Sequence, residues 1–201
     1  MSQTFVAAVT VRAADAGQAS NRMKGHDLPV NAAAGATPTS VAFLDVDGVL
    51  HSILGDNDDD MFEHACMARL HRVVTAPPGA AIVVSSSWRE KEYTMRMLND
   101  QLVRAGMDPA ISSTPVCGFH ARADEILHWL HNTPSVKHFV MLDDMDLTYP
   151  GADAFNRHIV RANGETGLTD TDVANALRVL QLKVDRDALP AARRPPDGYW
   201  S

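Results

Sequence analysis

The sequence predicts a three-layer α/β sandwich built on a mostly parallel sheet. Three short apolar runs, residues 41–44, 80–84 and 139–142, each lead directly into polar residues, as the buried strands of a parallel sheet do. Helical patterns lie between these runs, and strands that alternate with helices are joined by right-handed crossovers. We therefore expect a single Rossmann-like domain.

Four segments carry apolar residues at steps of three and four, which is the spacing of one helix face. Thr169 is the expected N-cap of the fourth helix, because its hydroxyl can accept a hydrogen bond from a free backbone N–H. The residues that mark the four helices are Phe62, Cys66, Leu70 and Val73; Met95, Leu98, Leu102 and Ala105; Ile126, Leu127 and Leu130; and Val173, Leu177, Leu180 and Val184.

The composition is that of one globular domain, with 201 residues, of which 45% are hydrophobic and 21% charged. A net charge of −7 disfavours a dedicated nucleic-acid coat or a binder of anionic membranes, but it leaves room for a local basic groove. Two cysteines, Cys66 and Cys117, are too few for a disulfide framework or a zinc site. No apolar run reaches the ~20 residues of a membrane span. We expect no secretory signal and a cytoplasmic location.

Composition also divides the chain into three parts. Residues 1–39 are rich in small and polar residues that cannot bury enough surface to offset their ordering entropy, so we expect a flexible arm with residues 5–11 as a candidate edge strand. Residues 40–184 form the expected globular domain. Residues 185–201 are the expected C-terminal tail, because three prolines interrupt any helix there.

Acidic and hydroxyl residues follow the three predicted strands. Asp45 and Asp47 follow the first strand, Ser85–Ser87 the second and Asp143–Asp144 the third. Ligands of open parallel sheets bind at the carboxyl ends of the strands, so these side chains are expected to meet at one edge. Clustered carboxylates repel one another unless a cation balances them, and Mg²⁺ is the usual partner of carboxylates and phosphate. The pattern therefore predicts a Mg²⁺ site.

The spacing of Asp45 and Asp47 suits chemistry that uses two carboxylates. The second lies on the turn beyond the strand, where Gly48 permits a tight exit. One carboxylate can attack phosphorus, while the other donates a proton to the leaving oxygen and later takes one from water.

The segment Phe43–Leu50 resembles the first signature of the haloacid dehalogenase-like (HAD) hydrolases. The later signatures of that family follow in order: a hydroxyl residue after the second strand at Ser86, a basic residue at a helix start at Arg122, and an acidic pair at Asp143–Asp144. The resemblance covers about residues 40–184. It implies a HAD-type phosphatase without a cap domain or with a minimal one.

The resemblance also implies a role for each signature residue. Asp45 would be the nucleophile that forms an aspartyl-phosphate and a Mg²⁺ ligand, and Asp47 the acid/base whose main-chain carbonyl binds the metal. Ser86 would hydrogen-bond the transferred phosphoryl group, and Arg122 would neutralise its charge. The pair Asp143–Asp144 would complete the metal site.

Two of these assignments stay open in the sequence. Ser85 or Ser87 could hold the phosphoryl group instead of Ser86, because all three lie together after the strand. Lys137 is the rival of Arg122, although it immediately precedes the third strand and so lies at the far end from Asp143–Asp144.

Residues near these signatures are expected to have other roles. Ser87 and Arg89 are candidates for contacts with substrate, whereas Trp88 is expected mainly as a buried anchor at a helix start. His51 lies near the site in the sequence, with a structural or surface role as the default expectation.

A narrower resemblance is carried by Ser87–Arg89, Glu125–Leu130, Ile159–Arg161 and Gly167–Thr169. These stretches are similar to the HAD domain found in Swiss Army Knife RNA repair proteins. That similarity implies the end phosphate of RNA or DNA as the substrate. The gaps between the signatures are too short for a large cap domain, so we expect an open site with at most a small flap at residues 51–60.

The functional prediction is a Mg²⁺-dependent phosphomonoesterase. One alternative is a binding module that keeps the fold without useful catalysis, and another is a phosphotransferase whose acceptor is not water. A receiver-type signalling domain is rejected, because its acidic pair precedes the phosphorylated aspartate whereas here the pair comes last. The sequence leaves the oligomeric state open.

Overall fold

The computed structural model describes residues 37–54, 62–117 and 122–193. Most of the predicted arm, including the candidate edge strand at residues 5–11, lies outside the described residues. So does most of the predicted flap, from residue 55 onward.

A sheet of five parallel strands forms the centre of the domain. The strand order is β3-β2-β1-β4-β5, and Phe43 of the central strand pairs with Val83 on one side and Met141 on the other. The three predicted strands are confirmed. The two short edge strands β3 and β5 were not predicted as strands, because neither stands out as an apolar run. The strands are β1 Ser40–Leu44, β2 Ala81–Val84, β3 Ser112–Ser113, β4 His138–Asp143 and β5 Ile159–Arg161.

All four predicted helices form, together with a one-turn helix after β4. Thr169 caps the last helix as predicted: its hydroxyl accepts from the Asp172 N–H, and the Asp172 carboxylate accepts from the Thr169 N–H. The helices are α1 His64–Thr75, α2 Glu92–Arg104, α3 Arg122–Asn132, α4 Asp153–Asn156 and α5 Asp170–Val179, with a 3₁₀ turn at Ser87–Glu90.

The predicted extent of the last helix is wrong at its end. The periodicity continues to Val184, but α5 ends at Val179 with Leu180 as its C-cap. The chain then turns back toward the start of β4, where the Val184 N–H donates to the carbonyl of Lys137. Val184 therefore packs in the core on the opposite side of the sheet from α5.

Helices cover both faces of the sheet, which confirms the three-layer prediction. Residues of α1, α2 and α5 pack on the face formed by Ala42 and Leu44, whereas α3 and α4 pack on the face formed by Val41 and Phe43. This division follows from the alternation of side chains along a strand. Within the described parts of the chain, the connections between the strands contain crossover helices and no further domain.

The segment after residue 184 also contacts the domain. The Arg186 guanidinium donates to the carbonyls of Leu130, Thr133 and Val136 at the end of α3, and Leu189 is buried. Among the described residues, no helix has the length and apolar character needed to cross a membrane.

Candidate active site

The carboxyl edge of the sheet brings three carboxylates together. Asp45 directly follows β1, Asp143 ends β4 and Asp144 follows it, and one oxygen of each lies within 4.8 Å of the others. Asp45 is 4% exposed and Asp143 only 1% exposed. The strand register brings Asp45 and Asp143 together, because the Asp45 N–H donates to the carbonyl of Leu142 at the end of the neighbouring strand.

Arg122 supplies the positive charge of this cluster. Its Nη1 lies 2.7 Å from Oδ2 of Asp45 and 2.7 Å from Oδ2 of Asp143. Burial opposes the charged guanidinium, but the two carboxylates raise the pKa of Arg122 above its ordinary value. Lys137, the alternative cation, immediately precedes β4 and so lies at the opposite edge of the sheet. There its backbone N–H donates to the carbonyl of Thr39. The structure thus brings Arg122, and not Lys137, to the cluster.

The cluster has the composition of a divalent cation site. Three carboxylates against one guanidinium leave two negative charges when all are ionised. Burial, and then the neighbouring Asp45, raise the pKa of Asp143 above its usual range, although Arg122 opposes this. A hard divalent cation with oxygen ligands would balance the charge, so Asp45, Asp143 and Asp144 fit Mg²⁺.

Two glycines create the space for Asp144. A Cβ on Gly48 would meet the Asp144 Oδ2 at 2.5 Å, and a Cβ on Gly164 would meet the same oxygen at 2.6 Å. Gly48 also has a φ of +73°, which side chains other than hydrogen rarely tolerate. The third carboxylate is therefore held between two backbone segments that only glycine allows to approach so closely.

Asp47 lies beside the cluster and is held by two ring nitrogens. His51 Nε2 lies 3.1 Å from its Oδ1, and Trp88 Nε1 donates to both oxygens at 3.0 and 3.1 Å. The hydrogen bond from His51 is the main cause that lowers the pKa of Asp47, and the same bond raises the pKa of His51.

Sequence reasoning missed Trp88 as a partner of the second aspartate. Its ring packs on Phe62 at 5.3 Å between centroids, so the expected role as an anchor is also present. Trp88 itself was the feature of the sequence that could have indicated this contact, because a partly buried indole N–H needs a hydrogen-bond acceptor.

The serine run after β2 is divided by burial. Ser85 and Ser86 are buried, whereas Ser87 is exposed. The Ser86 hydroxyl accepts a hydrogen bond from the Trp88 N–H at 3.4 Å and so caps the 3₁₀ turn. That bond leaves the hydroxyl proton of Ser86 available for another acceptor.

Arg89, expected to contact substrate, is directed into the protein. Its guanidinium donates to Glu125 Oε2 at 2.6 Å and to the carbonyls of Ser85 and Ser86, with the two charged side chains 5% and 4% exposed. The other oxygen of Glu125 accepts from the Cys117 N–H at 2.8 Å. These contacts favour a structural role for Arg89, and sequence reasoning had not identified Glu125.

Comparison with known proteins gives one match. A family model described as "HAD domain in Swiss Army Knife RNA repair proteins" matches residues 41–173, about two thirds of the chain, and that range contains all the residues of the site described above. No curated protein and no solved structure matches the chain.

Proposed function

The chain belongs to the family of HAD domains of Swiss Army Knife RNA repair proteins, and we propose that it is a phosphomonoesterase with Asp45 as its nucleophile. Membership of the family indicates a phosphatase-type hydrolase. The observation that carries the proposal is the buried cluster of Asp45, Arg122, Asp143 and Asp144 at the carboxyl edge of the sheet.

In the first step, an Asp45 carboxylate oxygen attacks the phosphorus of the bound monoester. The Asp45 O–P bond forms while the bond from phosphorus to the leaving oxygen breaks, and Asp47 donates a proton to that oxygen. This step needs Asp47 in its protonated form, whereas the hydrogen bonds from His51 and Trp88 orient the carboxylate and favour its ionised form, which is the form that acts as the base in the second step.

In the second step, water replaces the enzyme oxygen on phosphorus. Asp47, now ionised, takes a proton from the attacking water, and the Asp45 O–P bond breaks to release inorganic phosphate. Arg122 and the Ser86 hydroxyl are the proposed donors to the phosphoryl oxygens through both steps, since each retains donor hydrogens.

Mg²⁺ is the proposed cofactor, held by Asp45, Asp143 and Asp144 with the main-chain carbonyl of Asp47 as a further ligand. When bound, it neutralises charge on the phosphoryl oxygens and keeps the nucleophile ionised.

The proposed substrate class is the end phosphate of RNA or DNA. The description of the family supports this class, as does the lack of a cap domain in the described connections. A nucleic-acid end is too large for an enclosed site, so an open edge suits it.

Hydrolysis of p-nitrophenyl phosphate by the purified chain, with Mg²⁺ or with EDTA, tests the proposal. We expect Mg²⁺-dependent turnover that Asp45→Asn lowers by at least about 10³-fold, because the nucleophile is lost. Asp100→Asn, the same change on the exposed side of α2, is the matched control and should leave the rate unchanged.

Oligonucleotides with a 3′- or a 5′-phosphate are the second set of substrates. Release of inorganic phosphate from one of them would support the proposed class. A folded protein that hydrolyses neither these nor the aryl phosphate, and that does not bind beryllofluoride, would be a binding module instead. Transfer of the phosphoryl group to an added alcohol in preference to water would indicate a phosphotransferase.

A further inference from the structure

A groove of about 370 Å³ lies beside the carboxylate cluster. It runs from Arg122 at the start of α3, along residues 145–150 after β4, to Arg193. Its volume lies within the range of about 300–1,000 Å³ that is usual for small-molecule sites. Of the residues that line it, only Arg122 has a role in the mechanism proposed above.

Two residues that line the groove also contact the proposed reaction centre. Arg122 lines the groove and also contacts Asp45 and Asp143 through Nη1. Met145 lines the groove as well, and its backbone N–H donates to Asp143 Oδ1 at 2.9 Å. A phosphate bound at the cluster would therefore direct the remainder of its ester toward this groove.

The far end of the groove is a stack of an arginine on a tyrosine. The guanidinium carbon of Arg193 lies 4.8 Å from the centroid of the Tyr149 ring. Asp124 contacts both residues, because its Oδ1 accepts from the Tyr149 hydroxyl at 3.3 Å and from the backbone N–H of Arg193 at 2.6 Å. Among the described residues, no carboxylate pairs with the Arg193 guanidinium, which is exposed on its outer side.

We propose that this groove binds the terminal nucleoside of the substrate, with its base stacked on the outer face of Arg193. The proposal rests on the proposed function and adds the part of the enzyme that recognises the leaving group. Planar bases stack well on guanidinium and aromatic groups, and such stacking tolerates any base.

The charges in the groove limit what it can recognise. Arg122 and Arg193 are opposed by Asp124 and Asp146, so the lining is close to neutral and offers no track for several phosphates. We therefore expect recognition of one terminal nucleoside with weak dependence on salt, in contrast to a protein that neutralises many phosphates.

Two matched trinucleotides test the groove, one with a normal end and one whose phosphorylated terminal nucleotide lacks its base. The wild-type chain should hydrolyse the first with a kcat/KM roughly tenfold higher, the order of one stacked base. In Arg193→Ala the ratio of the two kcat/KM values should fall close to one. Arg193→Lys should give a similar ratio, because the lysine ammonium group has no planar face on which a base can stack. Arg104→Ala, on the exposed side of α2, is the control with the same loss of charge.

The outcomes separate this proposal from the proposed function. An unchanged preference in Arg193→Ala, or full retention in Arg193→Lys, would overturn base stacking even where the enzyme is active. If the wild type hydrolyses neither trinucleotide, the proposed substrate class fails, while p-nitrophenyl phosphate still tests the phosphatase activity, and calorimetric binding of both trinucleotides to Asp45→Asn decides about the groove. Tighter binding of the normal end that Arg193→Ala removes would support it, and equal binding of both ends would refute it.

Discussion

Asp47 is held by hydrogen bonds from two aromatic side chains. Two ring nitrogens fix its plane, and one of them comes from Trp88, which is 41 positions away in the sequence. A catalytic acid that is misplaced by about 1 Å can lose two orders of magnitude in rate. The indole N–H is therefore a positioning group whose contribution can be measured.

Trp88→Phe removes that N–H while keeping an aromatic ring against Phe62. We expect kcat for p-nitrophenyl phosphate to fall by roughly 10- to 100-fold with little change in KM, because orientation and not binding is lost. Trp129→Phe is the matched control, since it loses an indole bond to Ser112 on the other side of the sheet. Equal kinetics in the two variants would contradict the role of Trp88.

Gly164 is the second position where one atom decides the geometry of the site. Gly164→Ala directs a methyl group at Asp144 Oδ2, which must move. We expect the affinity for Mg²⁺, measured by calorimetry and by the half-saturating concentration for activity, to fall by about 10- to 100-fold. Gly151→Ala, where no atom lies within 4 Å of the new methyl group, should leave the Mg²⁺ affinity unchanged, although the φ of +73° makes this substitution costly to stability.

Among the contacts between elements, the buried pair of Arg89 and Glu125 joins the loop after β2 to α3. The segment after β2 carries Ser86, and α3 begins with Arg122. The buried pair therefore fixes the positions of these two candidate phosphate ligands relative to each other. A buried charge that loses its partner is strongly destabilising, whereas an exposed pair contributes little.

Glu125→Gln leaves the Arg89 guanidinium buried with only neutral partners. We expect the free energy of unfolding, from urea denaturation, to fall by about 3–5 kcal/mol. Glu92→Gln breaks an exposed pair with Arg96 on α2 and should cost less than about 1 kcal/mol. Similar losses in the two variants would mean that the buried pair does not join these elements as described. Replacing both partners with apolar residues, Arg89→Met with Glu125→Leu, should recover part of the loss.

For the domain as a unit, the buried His158 links stability to pH. It stacks on Phe139, and its Nδ1 donates to the Phe139 carbonyl at 2.8 Å, while Nε2 is buried without a partner among the described residues. Burial lowers the pKa of His158 to about 4, the hydrogen bond opposes this, and the charges of Arg157 and His138 add to the lowering.

The sign of the pH effect follows from the unfolded chain, which binds the proton of His158 at its ordinary pKa of 6.5. The stability that the neutral ring contributes is complete above pH 6.5 and is lost as the pH falls toward 4, at up to about 1.4 kcal/mol per pH unit. His158→Asn, which keeps a donor for the Phe139 carbonyl, should flatten the dependence of the free energy of unfolding between pH 7 and 5. An unchanged slope would show that another group controls acid stability.

The sequence by itself was sufficient for the three central strands of the parallel sheet, the positions of the four helices and the convergence of the acidic residues at one edge. These features depend on local periodicity and on the rule that parallel strands end at a common edge. Asp45 and Asp143 were predicted in this way, and Arg122 from the family resemblance; the structure brings Arg122 within hydrogen-bond distance of both carboxylates, and their catalytic roles stay predictions.

Only the tertiary structure decided which partners these residues have. Arg89 is directed into the protein and pairs with Glu125, Trp88 donates a hydrogen bond to Asp47, and Val184 packs on the face of the sheet formed by Val41 and Phe43. Each of these contacts joins segments that are distant in sequence. No periodicity encodes such contacts, because they depend on how the crossovers fold the helices over the sheet. The same reason explains why Arg89, predicted to contact substrate, is instead a buried cation paired with Glu125.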